Sequence, residues 1–394
     1  MKSVYFSPEH DAFRARVREF LSREVLPFAE EWERARCIPR HAWQAMGQGG
    51  LLGLHYPRTY GGAELDLFHS IVFLEELGRT GYAGLRAAVS VHEYMATHYI
   101  ATSGSEALKR AYLTKAIAGE KVAALAITER DAGSDLNRIA TTATLDGDCY
   151  VVNGEKTFVT NGTTAGFLTL AARTAPASAT AKHGAVGLSL LVVDADSPGI
   201  SRRRQEKIGW HCSDTAELRF EGVRVPAANL IGRPGSGFIS LMRGFQLERL
   251  VAATLAVGGM ARCMEETCRY LLGRRAFQGT LAGLHTVRHR LADLSTDIEA
   301  ARQLVYHAAW LYQRGELPIA ECSMAKLRAT EVASRVAAEC MQLHGSAGYL
   351  DESAISRIYR DAPAATLAGG ASEVMRDIIA QLTIEGIHRQ GGAP

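Results

Sequence analysis

From Val122 to about residue 230 the chain stops repeating apolar residues at helical spacing and breaks into short runs rich in β-branched residues. "VAALAIT", "TTATL", "CYVV", "KTFVT", "FLTLAA", "LSLLVVD" and "AELRFEGVRV" have the length and composition of strands. Asp146-Gly147 and Asn153-Gly154 punctuate them as hairpin turns, because such pairs adopt the backbone twist of a two-residue loop. An antiparallel β unit, barrel-like and small, is expected. On either side the period is helical. Phe13, Val17, Phe20 and Leu21 make one apolar stripe, and Leu67, Ile71, Leu74 and Leu77 make another before Gly78. After "GRPGSG" (232–237), long amphipathic segments are expected at 238–275, 284–314 and 318–344, with shorter ones to residue 389. The order helices, strands, helices segregates the sheet and defines an α+β chain. It divides into an N-terminal helical domain (1–121), a middle β-domain (122–233) and a C-terminal helical bundle (234–394).

Composition removes several classes of function. A net charge of +2 with interspersed signs gives no basic stripe, so nucleic acid and anionic membrane are not expected partners. No run approaches the roughly 20 apolar residues that span a bilayer. "SPEHDAFRARVREFL" opens as a helix, with Ser7 as cap and Pro8 in the first turn, and not as a signal or transit segment. The seven cysteines form no C-x-x-C and read as reduced thiols of a cytoplasmic protein. His285 and His289 lie four apart in "HTVRH" without a third ligand nearby, so no metal is expected. "ARTAPASATAKHG" (172–184) reads as a surface loop.

Four segments have the chemistry of a site. "AITERDAGSD" (126–135) ends a strand in a turn whose N–H groups and hydroxyls suit the polar edge of a ring or a phosphate. "VNGEKTFVTNG" (152–162) reads as a hairpin whose second strand presents Phe158, Val159 and Thr160, an aromatic beside a hydroxyl. "KIGWHCSDTAELRFEGVRVPAANLIG" (207–232) couples a Trp, a Ser-Asp-Thr turn and a strand. "QLHGSAGY" (342–349) ends a long helix in glycines, where backbone can approach a ligand closely. Each alone is equally well a turn or a packing feature.

Together with "YPRTYGG", "GFISLMRGFQLERL", "RRAFQ" and "GGASEVMRDII", these segments resemble the acyl-CoA dehydrogenases over residues 7–389. The resemblance implies an N-terminal helical domain, a middle β-domain and a C-terminal four-helix bundle, assembled as a homotetramer or homodimer. It implies FAD and an acyl thioester substrate, carried by CoA or a carrier protein. It also implies α,β-dehydrogenation to the 2-enoyl thioester, with electrons passed to an electron-transferring flavoprotein.

In that family a carboxylate takes the α-proton of the thioester while the β-hydride goes to flavin N5. The base usually precedes the Gly of the C-terminal loop, and here that position is Gly369, followed by Gly370. The long-chain and isovaleryl branches instead carry the base on the first long bundle helix, a position that corresponds to Glu248. "LERL", "EETCRYLLGRRAF" and "GGASEVMR" are most similar to the long-chain branch. An apolar helix would desolvate Glu248 and strengthen it as a base. The Gly369 N–H remains able to stabilise the thioester oxygen as an enolate forms, so loss of the loop acid need not lose the oxyanion hole. Glu248 could instead be a structural ion-pair partner, but helix neighbours point about 100° apart, which disfavours a direct pair with Arg249.

The resemblance assigns the remaining site residues. Leu125, Ile127, Thr128, Gly133 and Ser134 would edge the flavin, Ser134 also lying near the pantetheine. Phe158 and Thr160 would flank the isoalloxazine, the hydroxyl close to N5. Arg274 and Phe277 would reach the FAD of a neighbouring subunit, while Gln342 and Gly345 line its adenosine side. His285, Ala371 and Glu373 occupy further FAD positions, and Gln246, Arg249 and Gly370 substrate positions. Arg130-Asp131, Gln278, His285, Ser346 and Ala371 depart from the usual residues of the family and point to a specialised branch. Two other readings are a flavin monooxygenase (an N-oxygenase) on the same fold and a non-catalytic scaffold. Glu248 weighs against the first, since N-oxygenation needs no α-proton base.

Overall fold

The computed structural model describes residues 3–175 and 187–391, so most of the loop expected at 172–184 lies outside the described residues. The chain packs as two compact units. One comprises Ser22–Asp66 and Ala87–Phe245, the other Met1–Leu21, Leu67–Arg86 and Gln246–Pro394.

The first unit holds an eight-stranded sheet. Its strands are β1 (Ala123–Ala126), β2 (Thr142–Asp146), β3 (Cys149–Thr160), β4 (Phe167–Arg173), β5 (Leu188–Asp194), β6 (Ile200–Arg204), β7 (Thr215–Pro226) and β8 (Leu230–Ile231). They lie in the order β6-β7-β3-β2-β4-β5-β8, with β1 beside β4. Most pairs are antiparallel. β1 runs parallel to β4, pairing Ala123 with Phe167, and Thr142 of β2 meets Arg173 of β4 in the same sense. A parallel pair needs a long crossover, which residues 127–166 supply.

β2 and β3 form the hairpin expected at Asp146-Gly147, with Gly147 at φ 61°. Asn153-Gly154 is a different matter. β3 runs unbroken from Cys149 to Thr160, and the expected turn is a bulge in its pairing with β7 between Val152 and Gly154. Gly154 sits at φ 144°, and a Cβ there would lie 2.5 Å from Thr141 Oγ1. The glycine therefore serves a close approach and not a chain reversal. A second irregularity between Lys156 and Val159 places Phe158 at φ 56°.

β4 and β5 are buried along almost their whole length, which is why they read as continuous apolar runs. Phe167, Leu190 and Val192 pack with Ala96, Ile100, Leu113 and Ile117 from the helical segments of the same unit. Polar ties fix this register. Thr169 Oγ1 donates to the Ala96 carbonyl at 2.8 Å, and the Ala123 N–H donates to His92 Nδ1 at 3.0 Å.

The second unit is helical. Its main elements are α1 (Pro8–Phe20), α2 (Leu67–Gly78), α3 (Gly237–Gly273, whose turns from Gln246 belong here), α4 (His285–Gln313), α5 (Ile319–His344) and α6 (Ser372–Gly391). Leu250, Ala253, Val257 and Met260 of α3 bury against Leu294, Ile298, Ala301 and Val305 of α4 and Ala325, Ala329, Val332 and Val336 of α5. α2 crosses α3 where Gly258 lets the backbones meet; a Cβ there would fall 2.1 Å from the Glu75 carbonyl oxygen. Glu75 and Glu76 of α2 receive Arg14 of α1 at 2.9 and 2.8 Å, and Tyr306 Oη donates to Glu75 at 2.5 Å.

Candidate active site

The sheet unit gathers one group of the expected residues. β1 carries Leu125 and leads directly into Ile127 and Thr128. The chain then turns through a bridge between Glu129 and Ala132 to Gly133 and Ser134, both exposed. Lys156 holds this turn from below. Its ammonium donates to Glu129 Oε1 at 2.7 Å and to the Ile127 carbonyl at 2.9 Å, with the side chain wholly enclosed. Glu129 also accepts the N–H groups of Ala140 at 2.7 Å and Thr141 at 3.0 Å. Burial draws Lys156 down to about 8 against the pull of Glu129. Burial works the other way on Glu129, yet the Lys156 charge and the hydrogen bonds hold that carboxyl below its ordinary value.

Beside it, the Thr157 N–H donates to the Thr128 carbonyl at 2.9 Å, and the Phe158 N–H to Gln205 Oε1 at 3.0 Å. Thr160 pairs with Thr215 at the end of β3. The Ser-Asp-Thr turn anchors the following residues. Asp214 accepts from the Thr163 N–H at 2.6 Å, the Thr164 N–H at 3.1 Å and the Thr163 hydroxyl, and its carbonyl takes the Asn161 N–H. The Phe158 ring itself gains little from the chain. It is 68% exposed and held at a positive φ that a bulky residue adopts rarely.

The helical unit gathers the second group. Glu248 is 6% exposed on α3, among buried Leu247, Leu250 and Val251. Arg249, also buried, donates to Gln246 Oε1 at 3.1 Å and to Ser323 Oγ of α5 at 3.2 Å, while its Nε has no partner. Burial lowers the guanidinium from its ordinary value, and the charge of Glu248 acts against that. The helix geometry that disfavours a direct pair does not keep the two charges from interacting. Gly369 and Gly370, at φ 65° and 100°, precede Ala371 and Glu373 at the start of α6. Lys326 of α5 donates to the Gly370 carbonyl at 2.5 Å, which ties this loop to the helix that meets Arg249.

Arg274 and Phe277 lie on a small hairpin after α3, His285 opens α4, and Gln342 and Gly345 end α5. All are exposed. Tyr270 stacks on His344 at 4.4 Å, so the ends of α3 and α5 that carry these residues are neighbours. Phe277 is 94% exposed at φ 54°, a second aromatic in left-handed backbone with no cover from its own chain.

Sequence reasoning passed over Lys156, Glu129, Gln205 and Lys326, and named Asp214 only as part of the Ser-Asp-Thr turn. A signal existed for the lysines. Lys156 shares the inward alternation of Tyr150 and Val152, and Lys326 lies four residues after Cys322 on the buried stripe of α5. An inward lysine calls for an acceptor.

Comparison with known proteins gives one answer along the chain. Residues 7–120, 124–223 and 235–383 match the N-terminal, middle and C-terminal domains of the acyl-CoA dehydrogenases. The mitochondrial long-chain specific acyl-CoA dehydrogenase of Sus scrofa is 39% identical over 377 residues, which is 95% of this chain and 86% of that protein. The crystal structure of an acyl-CoA dehydrogenase from Geobacillus kaustophilus superposes with a TM-score of 0.93 at 42% identity, covering 97% of this chain and all of that one. The prolyl acyl carrier protein oxidase AnaB superposes at 0.90 with 31% identity, over 96% and 99% of the two chains. The chain belongs to the acyl-CoA dehydrogenase family. It is a flavoprotein oxidoreductase that uses FAD. Among the described residues no helix is long and apolar enough to cross a membrane.

Proposed function

We propose that this enzyme converts an acyl thioester to the 2-enoyl thioester with Glu248 as the α-proton base. The observation that carries the reading is a buried acid at 248 combined with a glycine at 369. FAD, when bound, supplies the two-electron acceptor for the β-hydride. Phe158 and Phe277 fit that group: each is a largely exposed aromatic side chain held at a positive φ, which a bulky residue adopts rarely. Leu125, Ile127, Thr128, Gly133, Ser134, Thr160, His285, Gln342, Gly345, Ala371 and Glu373 would hold the cofactor, and Arg274 and Phe277 would reach a partner subunit's FAD in a homotetramer or homodimer.

Glu248 accepts the α-proton in a site where its helix neighbours exclude water. The Gly369 N–H faces the thioester oxygen and stabilises the charge that develops as the proton leaves. Arg249, Gln246, Ser134 and Gly370 position the substrate. The thioester rides on CoA or a carrier protein, the electrons leave to an electron-transferring flavoprotein, and the enzyme works in the cytoplasm within the domain limits 1–121, 122–233 and 234–394. A buried base at 248 weighs against N-oxygenation and against a scaffold without turnover. Anaerobic addition of acyl-CoA and acyl-carrier-protein thioesters to the purified FAD-loaded protein is expected to bleach the flavin. Failure of every thioester tried across chain lengths would reject the reading.

Thr160→Val is expected to slow flavin reduction about three- to tenfold and leave the thioester Kd unchanged. One hydrogen bond is worth about 0.5–1.5 kcal/mol, and a loss confined to the transition state appears in rate and not in binding. Unaltered single-turnover reduction would assign the Thr160 hydroxyl to packing.

A further inference from the structure

The lysine of α5 is enclosed completely, with no exposed side-chain surface. Its ammonium donates to two backbone carbonyls, Gly370 at 2.5 Å and Thr366 at 3.4 Å. These carbonyls bracket the Gly369 peptide from both sides. The segment they bracket has little rigidity of its own, because Gly369 and Gly370 are consecutive glycines at positive φ. An enclosed ammonium is an expensive way to fill space, and an apolar side chain of the same length would avoid the desolvation. What the ammonium supplies is a clamp on two points of one loop.

We propose that Lys326 is a positioning residue for the thioester chemistry, holding the Thr366 and Gly370 carbonyls so that the Gly369 N–H keeps its direction toward the substrate oxygen. The proposal rests on the function proposed above. The charged groups around Lys326 are Arg249 from α3, Glu331 on α5 itself and Glu373 from α6. Burial and then the Arg249 charge lower the ammonium to about 8, against Glu331 and Glu373. Below that pH the clamp is charged. Above it the amine is neutral, a weaker donor, and the loop loosens.

Two measurements test this, and one needs no substrate. Backbone amide exchange of residues 367–371, corrected for intrinsic base catalysis, is expected to accelerate at least tenfold as wild type passes pH 8. Lys326→Met should show the fast exchange at every pH, and Lys326→Arg, which does not titrate in this range, the slow exchange throughout. In anaerobic flavin reduction, wild type should lose rate above pH 8. Lys326→Arg should lack that alkaline limb, and Lys326→Met should be slower by about 10- to 100-fold at all pH values, as expected when a preorganised oxyanion donor is disturbed. Equal exchange in the three proteins overturns the clamp. Altered exchange with unchanged reduction rates makes Lys326 a loop anchor and overturns the catalytic positioning. If no thioester reduces the flavin, exchange still decides the clamp, and the proposed function fails separately. Should neither variant fold, wild type labelled with 13C at lysine Cε decides, with the resonance of Lys156, also near 8, identified by its loss in Lys156→Arg: a Lys326 resonance titrating together with the loop amides supports the proposal, and independent titration overturns it.

Discussion

Glu248→Gln should keep FAD and bind thioester, yet reduce its flavin 10²- to 10⁴-fold more slowly, on the order of what loss of a general base removes. The amide nearly matches the carboxylate in shape, so packing on α3 is preserved, but it cannot accept the α-proton. Glu248 is only 6% exposed, which leaves little access for a water to substitute. Arg249 loses a favourable charge in this variant and keeps its hydrogen bonds to Gln246 and Ser323. A modest fall in thermal midpoint is therefore expected alongside the kinetic effect. Anaerobic stopped-flow reduction reports hydride transfer and exchange of α-deuterium from a labelled thioester reports proton abstraction, and near-normal values in both would remove Glu248 from the mechanism. Adding Gly369→Glu restores an acid at the more usual family position. A Cβ there meets nothing nearer than Ala252 Cβ at 4.0 Å, so space is not the obstacle. Backbone is: φ 65° asks a glutamate to adopt left-handed geometry, at about 1–2 kcal/mol. Partial recovery, at roughly a tenth of the wild-type rate or less, is the expected result.

The elements that repeat within one segment were the legible ones. The bundle helices expected at 238–275, 284–314 and 318–344 are observed at Gly237–Gly273, His285–Gln313 and Ile319–His344, because their apolar stripes state both period and extent. Most strand positions were equally plain, but the polar strand Ile200–Arg204 at the end of the sheet was passed over, and the two runs expected within 149–160 form one strand. Pairing was not plain, since a strand's register depends on a partner distant in sequence. Asn153-Gly154 shows the limit: the dipeptide has the composition of a turn, and only the pairing of β3 with β7 reveals it as a bulge. The site divides the same way. Glu248 could be singled out as an acid on an apolar helix, but its chemical role, like those of Arg274, Gln342 and Ala371, came from family resemblance and remains a proposal. The supports beneath the site stayed hidden, because Lys156 finds Glu129 27 residues away and Lys326 finds Gly370 44 residues away. No local pattern names those partners.

The second large effect is structural. Lys156→Met is expected to destabilise the sheet unit by about 3–5 kcal/mol, since removing one partner of a buried pair leaves the other uncompensated. Glu129 would keep the Ala140 and Thr141 N–H groups but lose the ammonium at 2.7 Å. For a unit of this size that loss corresponds to a fall of about 10 °C in thermal midpoint. The pH dependence has a definite sign. Glu129 lies below its ordinary value when folded, so its contribution is present at neutral pH and fades as pH falls through the folded value. Lys156 also lies low, at about 8, so its burial penalty is felt below that pH and eases as pH rises from 8 toward 10.5. Wild type should accordingly lose stability on acidification more steeply than the Met variant, in which the unpaired Glu129 no longer has a depressed value. Lys156→Met with Glu129→Gln removes both charges, keeps an acceptor for one N–H, and should recover more than half of the loss. The same clamp holds the Ile127 carbonyl at 2.9 Å, so the single variant is also expected to release FAD more readily than wild type. A midpoint within about 2 °C of wild type, below the shift expected for even 1 kcal/mol, would show that the pair carries no stability. A double variant no better than the single would place the effect in lost packing around Lys156 and not in the stranded carboxylate.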